Sequence, residues 1–525
     1  MNPSERTDNL ERNTRTNSAL TLVSRCMGLI RDGAISRLFG AGEFASAFYF
    51  AFLIPNLFRR LFGEGALAAA FLPSYTKLQL QDPQLARAFA TLTIAKLLTL
   101  LGAITIIGEL VLLAITASQE SPSNSLQLTM VMLPYMPLVC LVAIFGAMLH
   151  VHDKFGPTAA APIILNGFMI GAAYGFIGLF SNQLFHLVWI GIAVVLAGVV
   201  QVGWSLVALR RFGWFTKKTK PAETELKTMM RRMLPMIVGL GTLQLNTLID
   251  GLVANWTNIF GKSFFFGLEY PLGEGAMASV TWAQRLYQFP LGVFGIAVAT
   301  AIYPLLAKQS NDNDTFSSTI KRGLRLVIFI GLPASAGLLI VGEPLAAVVF
   351  QGNNFTSANA AEVGTILLGY ATAVWAYSMT QILTKGFYAK DDAMIPVKIA
   401  LFCVGLNFVL NALLIWTPLN TSGLAWSTAI CGVIQAGILL CLIRKYVSSP
   451  LDSSVLQSWR ATTILTIAMS VVVWLIIEYT WQTGGAWLQA FISLIAGVVG
   501  GLVVFGFGSV LLRRPELHWA LGRTK

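Results

Sequence analysis

The chain has 525 residues, of which 55% are hydrophobic and 11% are charged, and its mean hydropathy is +0.69. Soluble proteins carry about 25% charged residues, so the composition excludes a water-soluble enzyme or binding domain. The net charge of +12 is explained by cationic loops that contact anionic lipid headgroups, and no nucleic-acid partner is expected.

Apolar stretches recur along the whole chain, and each is long enough to cross a bilayer as a helix. We therefore predict an all-α polytopic membrane protein with about 14 transmembrane helices. The loops between them are too short for a soluble catalytic domain. In chain order, the predicted spans are 18–40, 44–78, 87–117, 126–151, 158–181, 185–209, 229–256, 276–307, 322–350, 360–388, 394–416, 421–443, 457–479 and 486–512.

The lysine and arginine residues between the predicted spans lie almost entirely on one side of the membrane. By the positive-inside rule this side is the cytoplasm, and both termini fall on it. We therefore expect an inner-membrane protein with cytoplasmic termini. The opposite loops, such as Ser118–Ser125 and Gln351–Ala360, carry almost no lysine or arginine, and Lys262 is their one cation. The cytoplasmic cations are Arg6, Arg12, Arg15, Lys77, Arg87, Lys154, Arg210, Arg211, Lys217, Lys218, Lys220, Lys227, Arg231, Arg232, Lys308, Lys321, Arg322, Lys390, Arg444, Lys445, Arg513 and Arg514.

Two pairs of motifs, each separated by six spans, predict an internal duplication. Phe71–Lys77 at the end of span two is similar to Ile302–Lys308 at the end of span eight, and an Asp-x-x-x-Pro pattern at 153–157 recurs at 392–396. An even number of spans preserves direction, so two six-helix lobes are expected as parallel pseudo-twofold repeats around a central cavity. The predicted domains are an N-terminal lobe at 1–212, a cytoplasmic linker at 213–228, a C-terminal lobe at 229–447, and two C-terminal helices with a tail at 448–525.

Arginines inside the predicted spans are the most informative residues, because a cation at mid-membrane costs about 2.5–3.5 kcal/mol. Arg25 and Arg31 lie in span one, Arg59 lies in span two and Arg285 lies in span eight. With too few acids nearby, these four are expected to carry uncompensated charge toward a water-filled cavity. Guanidinium groups match phosphate oxygens in pairs, so the cavity is predicted to bind a phosphate or diphosphate. The alternative is that the arginines pair with nearby acids or reach the membrane surface.

Acidic neighbours are expected to support this cavity. Asp32 lies two turns from Arg25 on nearly the same helix face, where it is expected to neutralise that arginine. Glu64 lies one turn beyond Arg60, placed for an i,i+4 ion pair. For Arg60, a structural pair or a position at the membrane surface is the preferred interpretation.

A second polar group occurs in spans seven, eleven and twelve. Asp250 is the acid deep in span seven. Asn407 and Asn411 share one face of span eleven, and Ser427 follows Gly423 by one turn in span twelve. Carboxylate, amide, hydroxyl and carbonyl oxygens suit a hard cation such as sodium. A protonated aspartic acid hydrogen-bonded to asparagine between helices explains the same residues equally well.

Several motifs resemble those of the bacterial lipid II flippase family, called MurJ or MviN. The resemblance extends over nearly the whole chain, and its first two motifs together are specific. It implies the two-lobed fold of the multidrug, oligosaccharidyl-lipid and polysaccharide exporters. It also implies transport of undecaprenyl-diphosphate-linked peptidoglycan precursor from the cytoplasmic to the outer leaflet. The motifs are Ser24–Asp32, Pro55–Arg60 with Glu64–Ala66, Arg285–Pro290 with Gly292, Val293 and Gly295, and Gly386–Asp392 with Pro396–Lys398.

The resemblance also implies roles for single residues. The helices after span twelve would form a groove for the lipid tail. Ser46 and Gln284 stand where relatives usually have acids, which makes the cavity more positive and argues against a gating salt bridge there. The implied cavity arginines are Arg25, Arg31, Arg59 and Arg285, and the implied sodium ligands, which some members lack, are Asp250, Asn407, Asn411, Gly423 and Ser427.

The expected partners are lipid II or a similar polyprenyl-diphosphate lipid, membrane lipids and the cell-wall synthesis machinery. No cofactor other than a sodium ion is expected. An exporter of O-antigen-type lipid-linked sugars stays an alternative, because it too must hold a diphosphate. A drug-cation exporter would need acids in the cavity, a polyprenyl-phosphate enzyme would need acidic metal-binding motifs, and a non-transporting cell-wall scaffold would not need buried arginines.

Overall fold

The structure, a computed structural model, describes residues 20, 23–63, 65–179, 182–261, 263–265, 267–482 and 484–521. The first helix, α1, occupies 23–39. The other α-helices are α2 (Glu43–Phe58), α3 (Ala66–Gln81), α4 (Pro83–Ser118), α5 (Asn124–Met132), α6 (Tyr135–Val151), α7 (Gly156–Gly175), α8 (Gln183–Leu209), α9 (Glu223–Ala254), α10 (Trp256–Phe260), α11 (Ala276–Pro290), α12 (Ile296–Lys308), α13 (Asn313–Phe350), α14 (Ser357–Ala371), α15 (Val374–Ala389), α16 (Met394–Leu414), α17 (Ser422–Leu442), α18 (Ser453–Thr480), α19 (Trp487–Leu511) and α20 (Pro515–Ala520).

Short elements complete the described chain. Strands β1 (Phe264–Phe265) and β2 (Leu268–Glu269) form an antiparallel hairpin between α10 and α11. Single 3-10 turns follow α8 and α17 and precede α9, and π-helical turns lie at Arg59–Gly63 and Leu291–Gly295. The predicted all-α fold is therefore confirmed for the part of the chain that the structure describes.

Nine described helical segments are long and apolar enough to cross a membrane. They correspond to predicted spans three to six, nine, and eleven to fourteen. Helices α14 and α15, bent by 41° at their junction, form a tenth if they are counted as one span, and they correspond to predicted span ten. The nine segments are Pro83–Ser118, Asn124–Val151, Gly156–Gly175, Gln183–Phe212, Asn313–Phe350, Met394–Leu414, Ser422–Lys445, Ser453–Thr480 and Trp487–Leu511.

The other four predicted spans are helical, but their described residues are not long and apolar enough to join these segments. They are α1, α2 with α3, α9, and α11 with α12. These helices carry the predicted cavity arginines and Asp250, and such polar residues lower the hydropathy of a helix. The predicted count of about 14 spans therefore stays a prediction.

The two π-helical turns interrupt predicted spans two and eight at similar places. Pro55 lies inside α2, shortly before the turn at Arg59–Gly63, and Pro290 directly precedes the turn at Leu291–Gly295. Proline cannot donate the usual helical hydrogen bond, and π-turns are often found at functional sites. The two turns are separated by nearly the same distance in sequence as the paired motifs at 71–77 and 302–308, which agrees with the predicted duplication.

By its internal packing the chain divides into two compact units, Met1–Tyr270 and Pro271–Lys525. In the first unit, α2 packs on α5, while α8 packs on α6 and α7. Helix α9 packs on α3 and α2 and so belongs to the first unit, whereas the predicted C-terminal lobe at 229–447 includes it. The predicted lobes rest on the sequence repeat, and their boundaries stay a prediction.

In the second unit, the long helix α13 is central. It packs on α14, α15, α18 and α19, and α18 and α19 also pack on each other. Phe316, Ile320 and Phe387 are fully buried in the larger apolar core around α13 and α15. A smaller cluster that includes Val341 and Val473 joins α13 to α18. The last two long helices are thus attached to the second unit mainly through α13.

Candidate functional site

Arg31 in α1 is held by an ion pair and by a residue of another helix. Its side chain is buried, with 6% of the residue exposed, and its Nε and Nη2 atoms lie 3.0 and 2.7 Å from Asp32 Oδ1. Arg31 Nη1 donates to Asn166 Oδ1 in α7 at 3.0 Å, and Tyr49 OH in α2 donates to Asp32 Oδ1 at 3.1 Å. The guanidinium also lies 5.6 Å from the centre of the Phe52 ring. The cluster therefore ties α1 to α2 and α7.

This pairing changes the charge expected in the region. The expectation that Arg31 carries uncompensated charge is wrong, because the carboxylate of Asp32 neutralises it. Asp32 was expected to neutralise Arg25 instead, and the structure pairs it with the adjacent Arg31. Asn166 and Tyr49 were missed, because nothing in the local sequence links residues so far from Arg31 in the chain. The proposed contact of Arg31 with a phosphate stays a prediction.

Arg25 and Arg59 are less buried than Arg31. Arg25 is exposed on α1, and no ion pair or hydrogen bond joins it to another described residue. Arg59 is half-buried at the first position of its π-turn, where its Nε donates to Asn56 Oδ1 at 2.9 Å. Arg60 is half-buried on the same turn. Glu64 lies outside the described residues, and so does its predicted pair with Arg60.

The beginning of α2 carries a polar contact that sequence reasoning missed. Ser46, one of the two positions at which the sequence argues against a gating salt bridge, is fully buried within this helix. Glu43, in the first turn of α2, accepts a hydrogen bond from Asn124 Nδ2 in α5 at 2.8 Å. An acid one turn before Ser46 thus joins α2 to α5 within the first unit.

Gln284 and Arg285 lie together in α11 of the second unit. Gln284 Nε2 donates to Tyr370 OH in α14 at 3.0 Å, and the Tyr370 ring stacks on Tyr287 with ring centres 4.8 Å apart. These contacts fix α11 against α14. Arg285 is half-buried beside them. The predicted cavity arginines therefore belong to different units, Arg285 to the second and the others to the first, and their convergence on one diphosphate stays a prediction.

The polar residues of α16 and α17 form a buried hydrogen-bond network. Asn411 Nδ2 donates to Asn407 Oδ1 at 2.9 Å, and Asn407 Nδ2 lies 3.3 Å from both Ser427 Oγ and Thr428 Oγ1. Ser427 Oγ donates in turn to Asn411 Oδ1. Asn407, Asn411 and Ser427 are all almost fully buried. Sequence reasoning identified these three residues and missed Thr428, the next residue after Ser427, whose hydroxyl also contacts Asn407.

Gly423 marks a very close approach between α17 and the end of α16. A Cβ atom at this position would lie 2.8 Å from the carbonyl carbon of Leu414 and 2.9 Å from its carbonyl oxygen. Both distances are too short for a real side chain, so glycine is required by packing. The close approach brings the polar residues of the two helices together.

Asp250 lies in α9 of the first unit, apart in the chain from the other four predicted sodium ligands. It is 4% exposed, and Asn246 Nδ2, one turn earlier, donates to its Oδ2 atom at 3.2 Å. In the described part of the chain, no three His, Cys, Asp or Glu residues cluster as a metal site. A sodium site built from all five residues stays a prediction, and so does the alternative of a protonated Asp250 hydrogen-bonded to asparagine between helices.

Comparison with known proteins gives one consistent family. The family model described as lipid II flippase MurJ matches residues 35–495. A probable lipid II flippase MurJ from Vibrio cholerae is 30% identical over 449 residues, which are 80% of this chain and 80% of that protein.

Solved structures show the same fold. A lipid II flippase MurJ in an inward closed conformation is similar with a TM-score of 0.77 and 20% identity, covering 95% of this chain and 100% of that chain. An inward-facing multidrug resistance MATE family transporter of the MOP superfamily has a TM-score of 0.64 and 14% identity, covering 82% of this chain and 96% of that chain. At these identities the likeness concerns the fold alone.

Proposed function

This chain belongs to the lipid II flippase MurJ family, and on that premise we propose that it translocates lipid II from the cytoplasmic to the outer leaflet. It is a multi-pass inner-membrane protein with the fold of a solved lipid II flippase. The observation that carries the proposal is the family match over residues 35–495. The distribution of lysine and arginine supports cytoplasmic termini.

The arginines are assigned to the diphosphate of the lipid. Arg25 is exposed and Arg59 is half-buried, so both guanidinium groups are within reach of a ligand. Each guanidinium binds two phosphate oxygens at once. Arg31 is already paired with Asp32, so its main role is to hold α1 in place. It would contact a phosphate only if the phosphate displaced the Asp32 carboxylate. Arg285 supplies a cation from the second unit.

Transport is proposed to occur by alternating access, in which two lobes expose a central site first to one side and then to the other. The polar headgroup would pass through the cavity while the lipid tail stays in the bilayer. Helices α18 and α19 suit the tail, because they carry exposed apolar side chains such as Ile464, Leu502 and Phe507. No covalent bond forms or breaks in this process, and no catalytic residue is assigned.

Sodium is proposed as the coupling ion, with the membrane potential alone or a proton as the competing energy source. Asn407, Asn411, Ser427 and the Gly423 carbonyl would supply neutral oxygens, and Asp250 would supply the negative charge. This set fits a hard cation. The amide oxygens of Asn407 and Asn411 accept hydrogen bonds within the network, so a bound ion would take the place of those bonds.

Complementation tests the proposal. A bacterium depleted of its own lipid II flippase should grow when it expresses this chain, and lipid II should no longer accumulate in its membranes. Failure to restore growth by protein that inserts at normal levels would overturn the assignment. Restored export of O-antigen in a strain lacking its O-antigen flippase, without restored growth of the depleted strain, would favour the alternative substrate.

A further inference from the structure

The last helix, α20, places a fully buried carboxylate between α13 and α18. Glu516 is 0% exposed. Its Oε1 atom accepts hydrogen bonds from Arg325 Nε at 2.8 Å and from Ser458 Oγ at 2.6 Å, and Arg325 Nη2 lies 2.6 Å from the same oxygen. A helix of only six residues therefore occupies a pocket built by residues of two long helices.

The donors around Glu516 crowd one of its two carboxylate oxygens. Arg514 Nη2 lies 3.1 Å from Oε1 and 3.0 Å from Oε2. Four donor atoms thus surround Oε1, while the buried Oε2 and Arg514 Nε make no hydrogen bond with the described residues. A carboxylate oxygen has two lone pairs, whereas a phosphate group offers more oxygens to the same set of donors. A phosphate held by Arg325, Ser458 and Arg514 would spread the same donors over more oxygens and would also accept a hydrogen bond from Arg514 Nε.

The surroundings of this pocket are basic and close to lipid. The Trp519 ring of α20 lies 4.5 Å from the Arg322 guanidinium carbon and 4.9 Å from that of Arg325. Leu511 and Leu512, at the end of α19, are exposed. The predicted orientation puts this end of α19 at the cytoplasmic surface, where the phosphates of anionic inner-leaflet lipids attract cations.

We propose that Arg325, Ser458 and Arg514 form a binding site for the phosphate of an anionic inner-leaflet phospholipid, and that Glu516 occupies this site until lipid displaces it. The segment that links α19 to α20 favours displacement of Glu516 by lipid. Arg513 in this segment has a φ of 48°, a left-handed conformation that non-glycine residues adopt at an energetic cost. Displacement would release α20 from α13 and α18. The proposal concerns a resident lipid and does not depend on which lipid the protein transports.

Hydrogen–deuterium exchange of the peptide 513–521 tests displacement directly. The full-length protein is compared in nanodiscs of phosphatidylcholine alone and in nanodiscs that also contain phosphatidylglycerol. In the wild type, exchange should be slow in the neutral lipid and faster with the anionic lipid. In Glu516→Gln, which keeps the shape of the side chain but loses its charge, exchange should be fast in both.

Lipid binding by native mass spectrometry supplies the second readout. Glu516→Gln should retain phosphatidylglycerol about tenfold more tightly than wild type, because no charged competitor has to leave. Glu478→Gln is the matched control, since Glu478 is an exposed acid near the other end of α18 and its substitution changes the net charge equally. Arg325→Lys keeps the charge but loses the planar guanidinium, and it should bind the lipid more weakly than wild type.

Two results would overturn the proposal. Tail exchange that ignores phosphatidylglycerol, together with equal lipid retention by Glu516→Gln and Glu478→Gln, would make Glu516 a structural ion pair only. Inorganic phosphate that accelerates tail exchange in neutral nanodiscs, where phosphatidylglycerol has no such effect, would show a site for soluble phosphate and refute the lipid assignment.

Discussion

Arg31 Nη2 and Asp32 Oδ1 lie 2.7 Å apart, so two consecutive residues of α1 form a buried ion pair. Removing one partner of such a pair leaves a buried charge without compensation, which costs about 3–5 kcal/mol. Asp32→Asn should therefore lower the melting temperature of the detergent-purified protein more than Tyr49→Phe, which removes one of the hydrogen bonds to the carboxylate. A melting curve of Asp32→Asn that matches wild type would show that the pair contributes nothing to stability.

Substitution of the exposed Arg25 or of the half-buried Arg59 and Arg285 should impair transport rather than folding. Arg25→Ala, Arg59→Ala and Arg285→Ala are each expected to abolish complementation while the protein still reaches the membrane at normal levels. Lysine at these positions should rescue growth only in part, because it lacks the planar fork that binds two phosphate oxygens. Arg460→Ala, an exposed cation of α18, is the control and should leave growth unchanged. Normal growth of all three alanine variants would refute the diphosphate site.

Sodium should raise the melting temperature of the wild-type protein if it binds the native state, because a ligand of the folded state stabilises it by mass action. Asn411→Ala and Asp250→Ala should each remove this shift. Gln435→Ala, a polar residue of α17 for which the structure describes no contact with the network, should retain it. A wild-type melting curve that responds to pH and not to sodium would favour the protonated, hydrogen-bonded aspartic acid.

Gly423 should tolerate no side chain. Gly423→Ala brings its methyl group within 2.8 Å of the Leu414 carbonyl carbon, and such overpacking costs about 1–3 kcal/mol. Gly437→Ala in the same helix is the control, since a Cβ there meets no atom within 4 Å and alanine favours helix over glycine by about 0.5–1 kcal/mol. Thermal unfolding should show opposite shifts for the two variants, and equal shifts would contradict the close approach of α16 and α17.

The stability that Glu516 contributes should depend on pH. Burial by itself would raise the pKa of Glu516, but hydrogen bonds from Ser458 and from Arg325, together with the charge of Arg325, lower it below the ordinary value of 4.5. A carboxyl with a lowered pKa in the folded state stabilises the protein above the unfolded-state pKa, and it loses that effect as pH falls through the lowered value. The melting-temperature difference between wild type and Glu516→Gln should thus be largest near neutral pH and shrink in strong acid. A difference independent of pH would contradict this ion pair.

Sequence reasoning succeeded where the signal is periodic or local. Hydropathy placed the apolar helices α4 to α8 and α13 to α19, because lipid-facing helices must be apolar along their length. The spacing of Asn407 and Asn411, and of Gly423 and Ser427, put each pair on one helix face. The structure joins Asn407, Asn411 and Ser427 by hydrogen bonds and packs Gly423 against the end of α16.

The rest depends on contacts between distant parts of the chain. Asp32 was assigned to Arg25, because helix periodicity describes directions around an axis and not how far a flexible arginine reaches. Asn166 is paired with Arg31, and Glu516 with Arg325, yet no local pattern connects either pair. Such partners follow only from the packing of whole helices.

The π-helical turns at Arg59–Gly63 and Leu291–Gly295 form flexible junctions between α2 and α3 and between α11 and α12. A wide turn breaks the regular ladder of backbone hydrogen bonds, so the segment before it and the segment after it can change their mutual angle while each stays helical. Arg59 sits on the first of these junctions. Binding of an anion to the Arg59 side chain would therefore pull directly on this turn. The pull would change the angle between the helical segments on either side of the turn.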